Sequence, residues 1–316
     1  MIRSRTTLMP LIVATALFSL FFSLLNGSTS LSFTQLFSPD NSLSHTILFK
    51  LRLPRTFTAF VSGGLLALSG SLMQLLLQNP LADPYALGVS GGAALFTLIL
   101  MLLGASNEAL IGGAWAGSLL SMLLIFLMAR KHGFKTHTLL LSGIILACGF
   151  SAAISCLLLL SPDSSLHSML FWLTGDLNAT HFPSLAFCIL CLGGLLCYAL
   201  APGFNLLIRG ENEATALGLP TTYYRILLYL LSSLFAATAV TLAGCIGFIG
   251  LIVPHLTRRL VGFNHRIMLP AAILLGGSLL TFADTLARTL FAPAQIPVGI
   301  IMALIGVPAF IWLLQS

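Results

Sequence analysis

FNLLIRGENEATALGLP, residues Phe204–Pro220, is a polar island about two thirds of the way along an otherwise apolar chain. Arg209, Glu211 and Glu213 lie in it, so it holds two of only eight acidic residues. Asn212 can cap a short helix, Glu213 suits its first turn, and Gly218 followed by Pro220 supplies a C-terminal stop. The spacing predicts a short amphipathic helix with Ala214 and Leu217 as its apolar contacts. Long apolar segments lie on both sides, so such a helix sits at a membrane surface, where a soluble partner can push on it. An ordinary solvated loop is the alternative.

Working outward, charged residues make up 7% of the chain, hydrophobic residues 58%, and mean hydropathy is +1.04. A soluble core cannot absorb that much apolar surface, so the class is an all-α polytopic membrane protein rather than a soluble domain. Lys and Arg number 14 against 8 Asp and Glu. The basic residues form no long cluster, so topology accounts for the excess and no nucleic acid is expected. All six cysteines fall in apolar runs, and Cys188 and Cys191, a lone CxxC, read as small packing residues rather than a zinc site.

Segments of about 20 apolar residues, the length a spanning helix needs, fall at roughly 8–25, 56–77, 87–104, 110–129, 138–160, 183–202, 225–244, 246–261, 267–290 and 297–315. That makes about ten spans in a single transmembrane domain, 1–316. Gly244, Gly247 and Gly250 leave only a tight turn between the seventh and eighth. Arg3 and Arg5 precede the first span, a pattern shared by signal peptides and spanning helices. No small-residue cleavage site follows, which favours a retained helix.

With the N-terminus inside, Arg3, Arg5, Arg130, Lys131, Lys135, Arg209, Arg225, Arg258, Arg259 and Arg266 are cytoplasmic, against Lys50, Arg52, Arg55 and Arg288 outside. The bias puts both termini and the polar island, about 204–222, in the cytoplasm. Two four-helix sets of opposite orientation, about 56–160 and 225–315, then have the signature of inverted repeats. The outer loop 161–182 has room for a short helix across the outer face; Phe171 and Trp172 there can equally be interface anchors.

Small residues crowd the second span (Ser62, Gly63, Gly64, Ala67, Ser69, Gly70, Ser71), and Gly113, Gly117, Gly276 and Gly277 mark further close contacts. QNPLADPYALG, Gln78–Gly88, fixes the backbone at the inner mouth, and GFIGLIVPHLTRR, from Gly247, is read as a similar rigid connector; either is a gate or a plain link. No GxxxxGK[ST] occurs, so the chain itself is not expected to hydrolyse ATP. His255 has no acidic neighbour and reads as helix-end packing. Deep positions hold almost no charge, which disfavours ion coupling; Asp284, the nearest candidate, is spaced for a local pair with Arg288.

RLPRTFTAFVSGGLLALSGSLMQLLLQNPLADPYALGVSGGA, FWLTGDL, GENEATALGLP, GFIGLIVPHLTRRLVG and PVGIIMALIGVPAFIWLL, in that order from about Leu51 to the C-terminus, resemble the FecCD-type permeases. These are membrane subunits of bacterial ABC importers for iron-siderophores, haem and cobalamin. The resemblance implies a type II ABC importer permease of ten helices in the inner membrane. It would work as a homodimer or close heterodimer with a cytosolic ATPase dimer and a periplasmic or lipid-anchored binding protein. ATP and Mg would be held by the ATPase, with no cofactor on this chain. By resemblance, Arg209, Glu211, Glu213, Ala214, Leu217 and Gly218 match the ATPase-coupling helices. Arg52, Arg55 and Arg288 match outward arginines that meet acidic residues of the binding protein, and Asn79 and Leu81 match an inner gate. Trp172 and Asp176 fall at the outer mouth; many relatives carry a small neutral residue in place of Asp176. An ion-coupled secondary transporter of a bulky apolar solute is the alternative function.

Overall fold

The computed structural model describes residues 8–27, 46–131, 135–177 and 182–315. Arg3, Arg5 and residues 28–45 lie outside the described residues. The described chain is helical without strands, and each of the ten apolar windows contains a helix. In chain order the α-helices are α1 Met9–Leu25, α2 Leu53–Leu76, α3 Val89–Leu102, α4 Asn107–Arg130, α5 Thr136–Leu160, α6 Asp163–Leu173, α7 Ser184–Leu207, α8 Glu211–Ala216, α9 Thr221–Ala243, α10 Ile249–Val261, α11 His265–Thr289 and α12 Val298–Gln315. A π-helical turn, Ile47–Arg52, leads into α2, and a 3-10 turn, Pro84–Leu87, precedes α3.

Six stretches among the described residues are long and apolar enough to cross a membrane: Ile47–Leu76, Asn107–Arg130, Thr136–Leu160, Ser184–Leu207, Thr221–Ala243 and His265–Thr289. The eighth window, 246–261, is corrected. Its helix α10 has 13 residues, about 20 Å at 1.5 Å per residue, too short to span alone. The stretch 244–248 before it is unwound although every residue there is apolar or glycine. GFIGLIVPHLTRR is accordingly mostly helix, with Pro254 in its interior, and not a rigid connector. α3, with 14 residues, is the other short piece.

α3 and α10 hold the same place in two sets, α2–α5 and α9–α12. The packing pairs match as well: α2 against α11 corresponds to α9 against α4, α3–α4 to α10–α11, α4–α5 to α11–α12, α3–α5 to α10–α12, and α2–α10 to α9–α3. Short, broken helices in corresponding halves are where transporters build their pathway.

α2 is the hub, with 94% of its span window buried. It runs antiparallel to α11, Arg55 meeting Asp284 at one end and Gly64 meeting Ile273 further along. A Cβ at Gly63 would strike the Gly276 carbonyl, and one at Gly70 would strike the carbonyl of Gly250 at the start of α10. Backbones this close are how helices gain packing energy in lipid, where the hydrophobic effect between them is absent. Gly70→Ala is therefore expected to lower stability by about 1–3 kcal/mol, as overpacking does. Gly112→Ala on α4, where a Cβ meets nothing within 4 Å, should be neutral or slightly stabilising. Thermal unfolding of the two variants in mild detergent checks this, and equal midpoints would contradict it.

Candidate functional site: a coupling face, a broken mid-section and an outer charge cluster

α7 ends at Leu207 and the chain turns at Gly210, whose φ of 111° excludes ordinary side chains. Gly210 is also the N-cap of α8, with no side-chain cap, and Asn212 lies inside the first turn rather than capping it. Glu211 and Glu213 occupy that first turn, where carboxylates favour the positive end of the helix. The helix stops in a Schellman pattern: Leu219 N–H donates to Ala214 O at 3.0 Å and Gly218 N–H to Thr215 O at 2.9 Å, with φ of 83° at Gly218.

Two contacts hold α8 in place. Ala214 is fully buried, and Glu211 Oε2 accepts from Arg225 Nη1 at 2.7 Å while Arg225 Nη2 donates to Thr136 Oγ1 at 3.0 Å, linking α8 to α9 and α5. Leu217 is corrected: it is 58% exposed rather than packed, because the helix stops before its turn brings that position inward. α8 thus offers Asn212, Glu213 and Leu217 to solvent.

Asn79 Oδ1 accepts from Leu81 N–H at 2.9 Å, fixing the turn after α2. A cavity of about 530 Å³ opens beside it, lined by Gln74, Gln78, Asn79, Arg209, Gly210, Arg258 and His265 among others. Asn79, expected at a gate, and Arg209, expected at a coupling contact, line the same cavity; Leu81 is half exposed outside it. His255 is also not simple packing, since it lines a neighbouring cavity with Arg258 and Arg259.

Where the C-terminal end of α9 meets the N-terminal end of α12, several unwound stretches come together. Asp176 N–H donates to Ala243 O at 2.9 Å, Val298 N–H to Gly175 O at 3.2 Å and Gly299 N–H to Thr174 O at 3.0 Å. Ile246 N–H donates to the Tyr85 hydroxyl at 3.1 Å. Non-helical backbone is tolerated at membrane depth only where protein or a cavity satisfies it, and here each break satisfies another. Trp172, on α6, packs partly buried on the small cluster of Ala93, Ala114 and Val240, from α3, α4 and α9. Asp83 Oδ1 accepts from Tyr85 N–H at 2.7 Å; burial raises its carboxyl pKa and that hydrogen bond opposes the rise.

The three arginines expected at an exposed rim gather where the C-terminus of α1, the start of α2 and the C-terminal end of α11 meet. That exposure is corrected for two of them: Arg52 and Arg288 are each only 5% exposed. The cause is α1, whose last carbonyls have no intrahelical partner. Arg52 Nη1 donates to Leu24 O at 2.9 Å and Leu25 O at 2.8 Å, and Arg288 Nη2 donates to Ser23 O at 2.9 Å and Ser23 Oγ at 2.6 Å. Asp284, fully buried, accepts from Arg55 Nη2 at 2.8 Å and Nε at 3.0 Å, with Arg288 Nε 3.3 Å from its other oxygen. The expected Asp284–Arg288 pair is present, and the second, stronger partner is Arg55. Arg55 also donates to Gln295 Oε1 at 3.0 Å and keeps 14% side-chain exposure. Cys188 and Cys191 are likewise exposed on α7 rather than packed inside.

The profile of the FecCD transport family matches residues 12–316. The chain is 41% identical to the hemin transport system permease protein HmuU of Yersinia pestis, over 91% of this chain and 89% of that one. It is 37% identical to the vitamin B12 import system permease protein BtuC of Escherichia coli, over 94% and 91%. Among solved structures, an inward-facing metal-chelate type ABC transporter superposes with a TM-score of 0.87 at 34% identity, covering 96% of this chain and 97% of that one. PsaBC from Streptococcus pneumoniae shares the fold at a TM-score of 0.57 and 20% identity.

Proposed function

This chain belongs to the FecCD transport family, and on that premise we propose that it is the permease through which an ABC importer moves haem, another iron chelate or cobalamin. It is a multi-pass membrane protein with the architecture of type II importer permeases. The observation that carries the finer reading is α8, pinned by Ala214 and the Glu211–Arg225 pair while Glu213 and Leu217 face outward. A short helix so fixed passes a push into α9 and α5, as docking of a cytosolic ATPase dimer requires. ATP and Mg belong to that ATPase; this chain supplies the path and no cofactor. The site lies in the inner membrane with both termini cytoplasmic, the orientation that puts α8 on the ATPase side.

At the outer face, Arg55 is the arginine with exposure left for a binding protein, while Arg52 and Arg288 set the surface behind it by holding α1. Rim charges of this kind act on encounter and register and weaken with salt. A second copy of the chain is expected on α5, where only 6% of the span window is buried and Ser151, Ala152 and Ser155 lie exposed. Lipid alone is a poor neighbour for such a face. Native Cys148 and Cys156 are exposed on it. Oxidative crosslinking in native membranes should join two copies through these cysteines, and loss of the product in Cys188→Ser/Cys191→Ser, with persistence in Cys148→Ser/Cys156→Ser, would contradict the α5 interface.

The ion-coupled alternative loses its main candidate, because Asp284 is already bound by two arginines. Reconstitution with the ATPase and binding protein tests the reading. ATP-dependent uptake of hemin or cobalamin into proteoliposomes is expected; uptake driven by an ion gradient without ATP would overturn it.

A further inference from the structure

α10 contains Pro254 as its sixth residue. Proline has no N–H, so the carbonyl four residues back, Gly250 O, has no donor within the helix. An unpaired carbonyl at this depth is costly. The missing donor comes from α2: Gln74 Nε2 lies 3.3 Å from Gly250 O and 3.2 Å from Leu251 O. Gly70, one turn earlier on α2, has no side chain to hold the two backbones apart there. Gln74 is 4% exposed, and its remaining polar atom, Oε1, accepts a close hydrogen bond from Arg258 Nη2. Arg258 stands one turn after Pro254 on α10 and lines the cavity shared with Arg209 and Gly210.

The far end of α10 is also distinctive. Phe248, its N-cap, has φ of 71°, a left-handed conformation that costs a non-glycine residue on the order of 1 kcal/mol. The unwound residues just before it touch Tyr85 and the Thr174–Gly175 stretch. α10 is thus a 13-residue rigid piece with a strained break at the pathway and an arginine in the coupling cavity. Gln74 hydrogen-bonds it to α2 beside the close Gly70–Gly250 backbone contact.

We propose that Gln74 and Arg258 are positioning residues for transport. Movement of the Arg209–Gly218 segment against Arg258 alters the hold of Gln74 on the proline-freed carbonyl, and so shifts the break before Phe248. This rests on the reading of that segment as the ATPase contact. It gives the two-state element that a coupling pathway needs: a short helix whose clamp is biased from one end and whose break is read at the other.

The test uses the complete complex of permease, ATPase and binding protein in proteoliposomes, and measures cargo taken up per ATP hydrolysed. A hydrogen bond to a charged group contributes about 1.5–3 kcal/mol, so Arg258→Met and Gln74→Met are each expected to lower that ratio by about tenfold or more. The double variant should be no worse than the poorer single one, because the pair acts as a unit, and Arg258→Lys should recover part of the loss. An unchanged ratio in Arg258→Met, or losses that multiply in the double variant, would overturn the proposal. If Gln74→Met fails to fold, Arg258→Met decides alone, since it leaves both Gln74 donor bonds in place. Failure of the ATPase to bind the unaltered permease would instead refute the underlying coupling reading.

Discussion

Leu217→Asp is expected to weaken ATPase binding by about a hundredfold and to abolish ATP-driven uptake while leaving the fold intact. Leu217 is 58% exposed at the C-cap of α8, and the Schellman bonds that end the helix are made by backbone groups of Ala214, Thr215, Gly218 and Leu219. The permease therefore loses little packing with this leucine. If an ATPase docks on α8 as proposed, the same position would become an apolar contact, and a carboxylate there would be an unpaired charge withdrawn from water, a cost on the order of 3 kcal/mol. Leu217→Ala should cost only about 1 kcal/mol. Glu211→Lys is a less clean probe, because it also breaks the link to Arg225 and Thr136. Affinity measured between purified permease and ATPase, beside uptake, checks the order Leu217→Asp worse than Leu217→Ala. Wild-type affinity in Leu217→Asp would remove α8 from the interface.

Asp284→Ala should be the most damaging single change in the arginine cluster, lowering stability by about 3–5 kcal/mol, the range for removing one partner from a buried ion pair. Asp284 is fully buried and is shared by Arg55 and Arg288. Its loss leaves two guanidinium groups close together with Arg52 nearby. Arg288→Met should cost less, since Asp284 keeps both bonds from Arg55, although the Ser23 contacts to α1 go with it. Unfolding midpoints in detergent give the ranking. A midpoint for Asp284→Ala equal to wild type would show that the cluster contributes nothing to holding α1, α2 and α11 together.

Much of this arrangement was legible from local sequence. Apolar windows mark the helices because a span needs a long run of apolar residues, and Gly218 with Pro220 marks the stop of α8 because few other residues tolerate that backbone. Hydropathy could not see the break before α10, since residues 244–248 are as apolar as the helices they separate; it is carried by backbone angles at Gly244 and Phe248. The exposure of Leu217 was hidden because a six-residue helix is too short to display a full periodic face. The arginines were misjudged for a different reason. Position relative to the membrane follows from charge counting, but burial depends on partners far away in sequence, Ser23 being 265 residues from Arg288 and Leu24 28 residues from Arg52. Gln74 escaped notice for the same reason, its partners Gly250 and Arg258 lying 176 and 184 residues away.

The most direct measurement of the central claim is purification of the tagged chain from its native membrane in mild detergent, with mass spectrometry of what accompanies it. A P-loop ATPase present in equal proportion to the permease, and lost in Leu217→Asp, is the predicted result. A wild-type chain that elutes alone, with in-membrane crosslinking also finding no ATPase near α8, would contradict it.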